Sequence, residues 1–272
     1  MPTAGSMGET GCAAETNLRL ALPLSDIPIK LPDDPGWAEL AAPYNTRLPF
    51  TPAVIVIPKT EDHVRHAVLC AARLGLQVQA RSGGHSYASF SIGGRDGAMV
   101  IDLRHFQGVS VDQQGIAKVG AGARLGSVAV ALLARGRALA HGTCPAVGVG
   151  GHATHGGFGM TSRAWGLLLD HIVAMDVVLA DGRCVRTSET EHCDLYFVSL
   201  LCPSFFEGCY SPSFLGFAWC GRLVRYRHRL LLPDPSCPYA RRPRRSPFRP
   251  ASFQRGKRGP RFSALPEVHP RS

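Results

Sequence analysis

Two glycine-rich segments contain the residues of this sequence that could carry chemistry. The first, Arg81-Ser-Gly-Gly-His-Ser-Tyr87, has adjacent glycines, whose missing Cβ atoms let backbone N–H groups turn toward a ligand. Such a loop can form a concavity that binds an anion such as a pyrophosphate. An ordinary Gly-Gly turn is the alternative, and His85 by itself can equally be a solvated or capping side chain. The loop therefore predicts an anion site without identifying the ligand.

The second segment, residues 142–159, has seven glycines in eighteen positions and contains Cys144 and His152. We predict a long loop, since the segment is too rich in glycine for a helix, and we expect its backbone to approach something flat or charged. Structural glycine turns are the alternative, and Cys144 can be an inert thiol. A metal site made of His141, Cys144, His152 and His155 is a third possibility, which the glycine context and the lack of a nearby carboxylate disfavour.

The elements that must position these segments follow from hydrophobic periodicity. β-Branched and apolar runs at 53–57 and 76–81 predict two strands, joined by a helix that Thr60 caps and Gly75 ends. In that helix Val64, Ala67, Val68, Ala71 and Ala72 recur at three- and four-residue spacing, which completes a β-α-β unit. Further predicted elements are strands near 98–103, 108–112 and 116–120, a helix over 125–134 that Gly136 ends, and a hairpin of 176–180 and 184–186 that turns on Asp181-Gly182. The first glycine-rich loop directly follows the strand at 76–81.

The formal charge of +10 is distributed unevenly. Residues 198–272 contain 14 Lys and Arg and three acidic residues, whereas residues 1–197 contain 16 basic and 17 acidic residues. We therefore expect neither nucleic acid nor a membrane as a partner of residues 1–197. Nine cysteines without paired CxxC spacing indicate neither a zinc site nor a disulfide scaffold. The sequence indicates no signal peptide and no membrane span, and the compartment stays open.

Taken together, the two segments resemble the FAD-binding domain of vanillyl-alcohol-oxidase-type (PCMH-type) flavoproteins, and in particular the berberine-bridge-enzyme-like oxidases. RSGGHSY is similar to that family's histidyl attachment motif, and GTCPAVGVGGHATHGGFG is similar to its second attachment motif. The segments 163–172 (RAWGLLLDHI) and 177–182 (VVLADG) continue the similarity in the same order, over roughly residues 45–197. The Cys-Pro-Ala-Val-Gly version looks most like that of fungal glucooligosaccharide oxidases.

The resemblance implies an α+β, two-subdomain fold with covalently held FAD, and an oxidase that acts on a carbohydrate or alcohol hydroxyl with O2 as acceptor. It implies that His85 bonds to the 8α-methyl of the flavin ring and Cys144 to its C6. The other cofactor-binding residues that it implies are Ser82, Gly83, Gly84 and Ser86 at the pyrophosphate, Gly150, Gly151, His152 and Gly157 along the cofactor, and Gly148. For Tyr87, contact with the cofactor and simple core packing both stay open.

The similarity stops at Phe197. Family members continue with a segment like ALRGAGxxFGIVT, whereas this chain continues with Val198-Ser-Leu-Leu. Codons exist for residues 216–228 whose plus-one frame encodes ALRGAGGSFGIVT, and the single Trp219 codon forces a glycine in that frame. Val198-Ser199 can be encoded as GTAAGT, which is a 5′ splice-site sequence, and Leu215 with the first base of Gly216 can be encoded as TTAG, which is a 3′ splice end. The stretch from Val198 through that base is 55 bases long, and this number is not divisible by three. We therefore expect a retained intron followed by frameshifted translation; a divergent natural tail is the alternative.

Three regions follow from these observations. Residues 1–44 are an N-terminal segment, residues 45–197 are the FAD-binding domain, incomplete at its C-terminal end, and residues 198–272 are an aberrant basic tail that we expect to be disordered. The substrate domain and its catalytic base are not recognisable, so no catalytic residue is assigned and we expect this chain to be inactive by itself. The alternative function is a non-catalytic product whose basic tail binds nucleic acid or anionic surfaces.

Overall fold

A four-stranded sheet forms the first layer of the fold. The computed structural model describes residues 27–196, so the predictions for residues 1–26 and for the tail at 197–272 lie outside the described residues. The sheet contains β1 (Ile29–Lys30), β2 (Val54–Val56), β3 (Val78–Arg81) and β4 (Met99–Asp102), in the order β1-β2-β4-β3. β4 pairs in parallel with both β2 and β3, and β1 pairs antiparallel with β2. A short helix, α1 (Trp37–Ala41), lies between β1 and β2 in the chain.

The predicted β-α-β unit is confirmed. Helix α2 (Glu61–Leu74) joins β2 to β3; the Thr60 hydroxyl accepts the backbone N–H of His63 at 3.2 Å, and Gly75 ends the helix with a φ of +65°. Val64, Ala67, Val68 and Ala71 are buried against the sheet, whereas Ala72, which belongs to the same apolar pattern, is exposed. Burial of the small side chains keeps α2 close to the parallel strands.

Two antiparallel pairs and a second helix form the other hydrophobic core. The pairs are β5 (Val109–Val111) with β6 (Ala117–Val119), and β7 (Ala174–Val178) with β8 (Cys184–Ser188); α3 spans Leu125–Leu133. The predicted strands, helix and hairpin are therefore confirmed, with a φ of +78° at Gly182 in the hairpin turn. The second core contains side chains from β6, α3 and β7. Within residues 27–196, no helix has the length and apolar character of a membrane span.

The prediction of an uninterrupted loop at 142–159 is wrong. Residues Val149–Thr154 form a short helix, α4, and a further helix, α5, spans Ser162–Trp165. Val149 and Ala153 lie one turn apart on α4 and are both buried in the second core. Their burial outweighs the poor helix propensity of glycine, which amounts to about 1 kcal/mol per residue.

A buried ion pair lies under the start of the first glycine-rich loop. Arg81 is only 7% exposed; its Nε donates to Asp102 at 2.9 Å and its Nη1 to the Leu40 carbonyl at 2.6 Å. Arg104 donates to the same Asp102 carboxylate at 2.7 Å. Burial raises the pKa of Asp102, but the hydrogen bond from Arg104 and the charge of Arg81 outweigh it, so the pKa is lowered overall. Asp102 is therefore ionised and anchors the end of β3.

Replacement of Asp102 by Asn is expected to destabilise the fold, because it leaves the buried charge of Arg81 without its carboxylate. Breaking a buried pair in this way costs about 3–5 kcal/mol. Since the folded-state pKa of Asp102 is lowered, its contribution exists above the unfolded-state pKa and is lost as the pH falls through the folded-state pKa. Urea midpoints should therefore differ at neutral pH and converge in acid.

The control for this experiment is Asp181→Asn, which removes an exposed ion pair with Arg183. We expect the urea midpoint of this variant to match that of the unmodified chain. Equal losses in the two variants would show that burial of Asp102 has no special effect.

Candidate functional site

Both glycine-rich segments line one cleft with a volume of about 440 Å³. Ten of the twelve predicted site residues lie in its wall: Ser82, Gly83, Gly84, His85, Ser86, Tyr87, Gly148, Gly150, Gly151 and His152. Cys144 and Gly157 are not part of this wall. The structure thus brings most of the predicted residues together, although the two segments are far apart in the chain.

Gly83 and Gly148 bring the two segments into direct backbone contact. A Cβ on Gly83 would lie 2.2 Å from the backbone nitrogen of Gly148, and a Cβ on Gly148 would lie 2.1 Å from that of Gly83. Ser82 adds to the contact, since its hydroxyl accepts the N–H of Gly150 at 3.2 Å and donates to the carbonyl of Ala121. These two glycines are therefore required for the approach of one protein segment to the other.

Two further predicted residues make contacts that shape the site. Gly157 has a φ of +73°, and a Cβ there would lie 2.5 Å from the Cβ of Leu168, so it permits close packing away from the cleft. The hydroxyl of Ser86 accepts the backbone N–H of Phe90 at 3.2 Å. In contrast, a Cβ on Gly151 would meet no atom within 4 Å, so the cleft is open along this side of α4.

Tyr44 packs against His85 and interacts electrostatically with Cys144. The ring of Tyr44 lies 4.6 Å from that of His85, at an interplanar angle of 35°, and meets the ring of Tyr87 edge-on at 5.4 Å. The pKa of Tyr44 is raised mainly by Tyr87 and to a smaller extent by the nearby Cys144. The side-chain amide of Asn45 donates to the Tyr87 carbonyl at 2.7 Å. The thiol of Cys144 is exposed. An imidazole thus packs against a tyrosine ring that also interacts electrostatically with an exposed thiol.

His152 connects α4 to the segment that carries Cys144. Its Nε2 accepts the backbone N–H of Gly142 at 2.9 Å. Burial, followed by the charge of His141, lowers the pKa of His152, so the ring is neutral at neutral pH and can accept this bond. The Nδ1 of His155 contacts the Gly151 carbonyl at 2.8 Å. Among residues 27–196, no three His, Cys, Asp or Glu side chains are arranged to hold a metal ion.

Sequence reasoning missed three residues of the site. Tyr44 and Asn45 precede both glycine-rich segments. Only the presence of an aromatic and an amide side chain at the start of the predicted domain could have suggested a role for them. Arg124 lies between the segments and contacts both, because its Nη1 donates to the carbonyls of Gly83 and Ala146. No local pattern in the sequence indicates such a contact.

The cleft suits a ligand with a flat ring and an anionic chain. Leu103, Met175 and Val177 give it apolar walls, and the glycines leave backbone uncovered by side chains. None of the side chains that line it in the described part of the chain is acidic. These features fit a dinucleotide that carries an aromatic ring system and a pyrophosphate.

Comparisons with known proteins agree with this chemistry. A family model described as "FAD binding domain" matches residues 52–188. The chain is 50% identical over 173 residues to a xylooligosaccharide oxidase of Thermothelomyces thermophilus, and the match covers 63% of this chain and 35% of that protein. It is 48% identical over 172 residues to a chitooligosaccharide oxidase of Gibberella zeae, with 63% and 35% covered.

A solved structure shows the same similarity in three dimensions. The glucooligosaccharide oxidase from Acremonium strictum, described with a 6-S-cysteinyl, 8α-N1-histidyl FAD, matches with a TM-score of 0.65 and 41% identity. This match covers 68% of this chain and 39% of that one. The chain spans about a third of the length of the two curated relatives.

Two alanine variants test the backbone contact between the segments. Gly148→Ala places a Cβ on the backbone of Gly83, and we expect it to cost roughly 3 kcal/mol of stability and to weaken FAD retention. Gly151→Ala is the matched control on the same helix; its Cβ meets open space, and alanine is favoured over glycine in a helix by about 1 kcal/mol. Thermal unfolding of the ligand-free chain should separate the two variants, and equal stability would contradict the contact.

Proposed function

This chain belongs to the FAD binding domain family, and we propose that its cleft holds FAD bonded to both His85 and Cys144. The observation that carries the proposal is the convergence, in the wall of one cleft, of the two segments that bear these residues. The similar glucooligosaccharide oxidase is described with a cysteinyl and a histidyl bond to its FAD, which supports both attachments.

The residues of the cleft have distinct roles in this proposal. The backbone from Ser82 to Ser86 receives the pyrophosphate, because its adjacent glycines leave N–H groups uncovered. Gly150, Gly151 and His152 lie along the ring system, and the open space beside Gly151 provides the room. Tyr87 is 76% exposed and lies at the entrance, where its ring meets Tyr44.

Attachment requires each of the two side chains to lose one proton. His85 gives up the proton of a ring nitrogen, and Cys144 gives up its Sγ proton; the exposure of Cys144 leaves its sulfur accessible. In each case a C–H bond and an N–H or S–H bond are replaced by one C–N or C–S bond, and O2 takes up the two electrons and two protons as H2O2. Two bonds keep the cofactor from dissociating.

The complete protein is proposed to oxidise a carbohydrate or alcohol hydroxyl. Bound FAD supplies a two-electron acceptor for hydride, which O2 can then reoxidise. The names of the relatives, which are oxidases of xylooligosaccharides and chitooligosaccharides, support a carbohydrate as the substrate class. The residues of this chain contribute the cofactor site, and none of them is assigned as the base that removes the hydroxyl proton.

Variants at the two attachment residues test the proposal. These variants are made in the protein with the downstream reading frame restored. In His85→Ala we expect flavin to stay bonded to Cys144, in Cys144→Ala we expect it to stay bonded to His85, and in the double variant we expect no covalent flavin. Yellow colour after denaturation and peptide mass mapping measure these outcomes. Cys193→Ala, which removes another exposed thiol, is the control and should retain both bonds. Complete loss of covalent flavin in His85→Ala would contradict two independent attachment points.

We further propose that the codons from Val198 to the first base of Gly216 are a retained 55-base intron. The support is the shifted-frame segment ALRGAGGSFGIVT, which residues 216–228 can encode. Transcript sequencing across codons 195–230 is expected to find mRNA without these bases. Genomic codons that lack GT at the start or AG at the end of the insert would overturn this proposal.

Removal of the 55 bases should also determine oxidase activity. Substrate positioning can lower the activation barrier of a reaction by roughly 7–11 kcal/mol. No residue of the 272-residue chain is assigned to substrate positioning. Without the 55 bases, translation continues in the restored frame into the downstream sequence. We expect this protein to release peroxide with gluco-oligosaccharides, and we expect no peroxide release from the 272-residue chain. Robust peroxide release from the 272-residue chain would refute the proposed frameshift.

A further inference from the structure

Arg124 is held beside the contact between the two glycine-rich segments. It immediately precedes α3 and has an extended backbone conformation. An isolated antiparallel bridge joins Arg124 to Gly148, and the N–H of the next residue, Leu125, donates to the carbonyl of Val147 at 2.9 Å. The origin of the Arg124 side chain is therefore fixed relative to the second segment.

The guanidinium of Arg124 joins both segments through a single nitrogen. Its Nη1 donates to the carbonyl of Gly83 at 2.7 Å and to that of Ala146 at 2.9 Å. Gly83 lies two residues before His85, and Ala146 lies two residues after Cys144. Because the guanidinium is planar and its two Nη1 hydrogens point in fixed directions, the two carbonyls are held at one separation.

Arg124 lies outside the wall of the cleft. It lines a separate crevice of about 550 Å³, together with Ser82, Gly83 and Gly84, and is not part of the wall of the cleft that contains His85. The Cβ that Gly83 lacks would lie 2.7 Å from Nη1, so the missing side chain leaves room for the guanidinium. Arg124 can therefore fix both segments from outside the wall of the cleft.

We propose that Arg124 is a positioning residue for double attachment: it holds the segments of His85 and Cys144 in register, so that one flavin ring can bond to both. This inference rests on the proposed attachment of FAD at these two residues. A single bond needs only one segment in place, whereas the second bond needs both segments correctly placed around a rigid ring. Positioning by Arg124 therefore matters most for formation of the second bond.

The test follows covalent attachment over time after FAD is added to the ligand-free protein with the restored reading frame. Peptide mass mapping separates protein with one bond from protein with two. In Arg124→Ala we expect the first bond to form at nearly the normal rate and the second to form about tenfold more slowly or not at all, as expected for lost positioning. Non-denaturing guanidinium added to this variant should restore part of the second rate. Arg183→Ala, which removes an exposed arginine of the β7–β8 turn, is the matched control.

Arg124→Lys provides a second variant in case Arg124→Ala does not fold. Its ammonium sits on a shorter stem and lacks the planar fork, so we expect an intermediate rate for the second bond. Equal rates of both bonds in the unmodified chain and in a folded Arg124 variant would overturn the proposal. Equal slowing of both bonds would also overturn it, because that result indicates a general loss of folding.

A measurement without flavin distinguishes failure of this inference from failure of the proposed function. Hydrogen exchange of the ligand-free chain should become faster in residues 82–87 and 144–148 together in the Arg124 variants, and should stay unchanged in α2. Absence of any covalent flavin in the protein with the restored reading frame would refute the proposed function. Unchanged hydrogen exchange in both segments would refute the proposed positioning by Arg124.

Discussion

Gly83 and Gly148 pass each other backbone to backbone, and the geometry of the whole site depends on this contact. Gly83 follows β3 of the four-stranded sheet, and Gly148 immediately precedes α4, whose apolar residues are buried in the second core. A side chain on either residue would overlap the backbone of the other, at 2.2 or 2.1 Å. The contact therefore sets the distance between the segments that carry His85 and Cys144, and the cleft forms on one side of it.

Charged groups support this contact at two places, the end of β3 and the side chain of Arg124. Arg81 and Asp102 are buried at the end of β3, so the loop starts from a fixed point, and Arg124 joins the loop to the second segment. The cleft itself has apolar walls and lacks acidic side chains in the described residues. Strong polar interactions are thus used to fix the backbone, while the cleft stays suited to a flat ring with an anionic chain.

The strength of the local signal explains which predictions succeeded. Thr60, Gly75 and the spacing of Val64, Ala67 and Val68 mark α2 because capping and periodicity act within a few residues, and the Asp181-Gly182 turn is equally local. The prediction of a loop failed at 149–154, where burial of α4 in the second core outweighs the low helix propensity of glycine. Propensity describes an isolated segment and does not include the core against which that segment packs.

The sequence by itself determined the class of chemistry, because a cofactor motif specifies residue types at short spacing. The family resemblance of RSGGHSY and the segment around Cys144 was sufficient to indicate an FAD-binding domain, and it proposes His85 and Cys144 as attachment residues. Only the tertiary structure decided how these segments meet. Arg124 contacts Gly83 across 41 positions of the chain, and Ser82 contacts Gly150 across 68. Contacts over such separations arise from the packing of two cores, and no short stretch of sequence contains both partners.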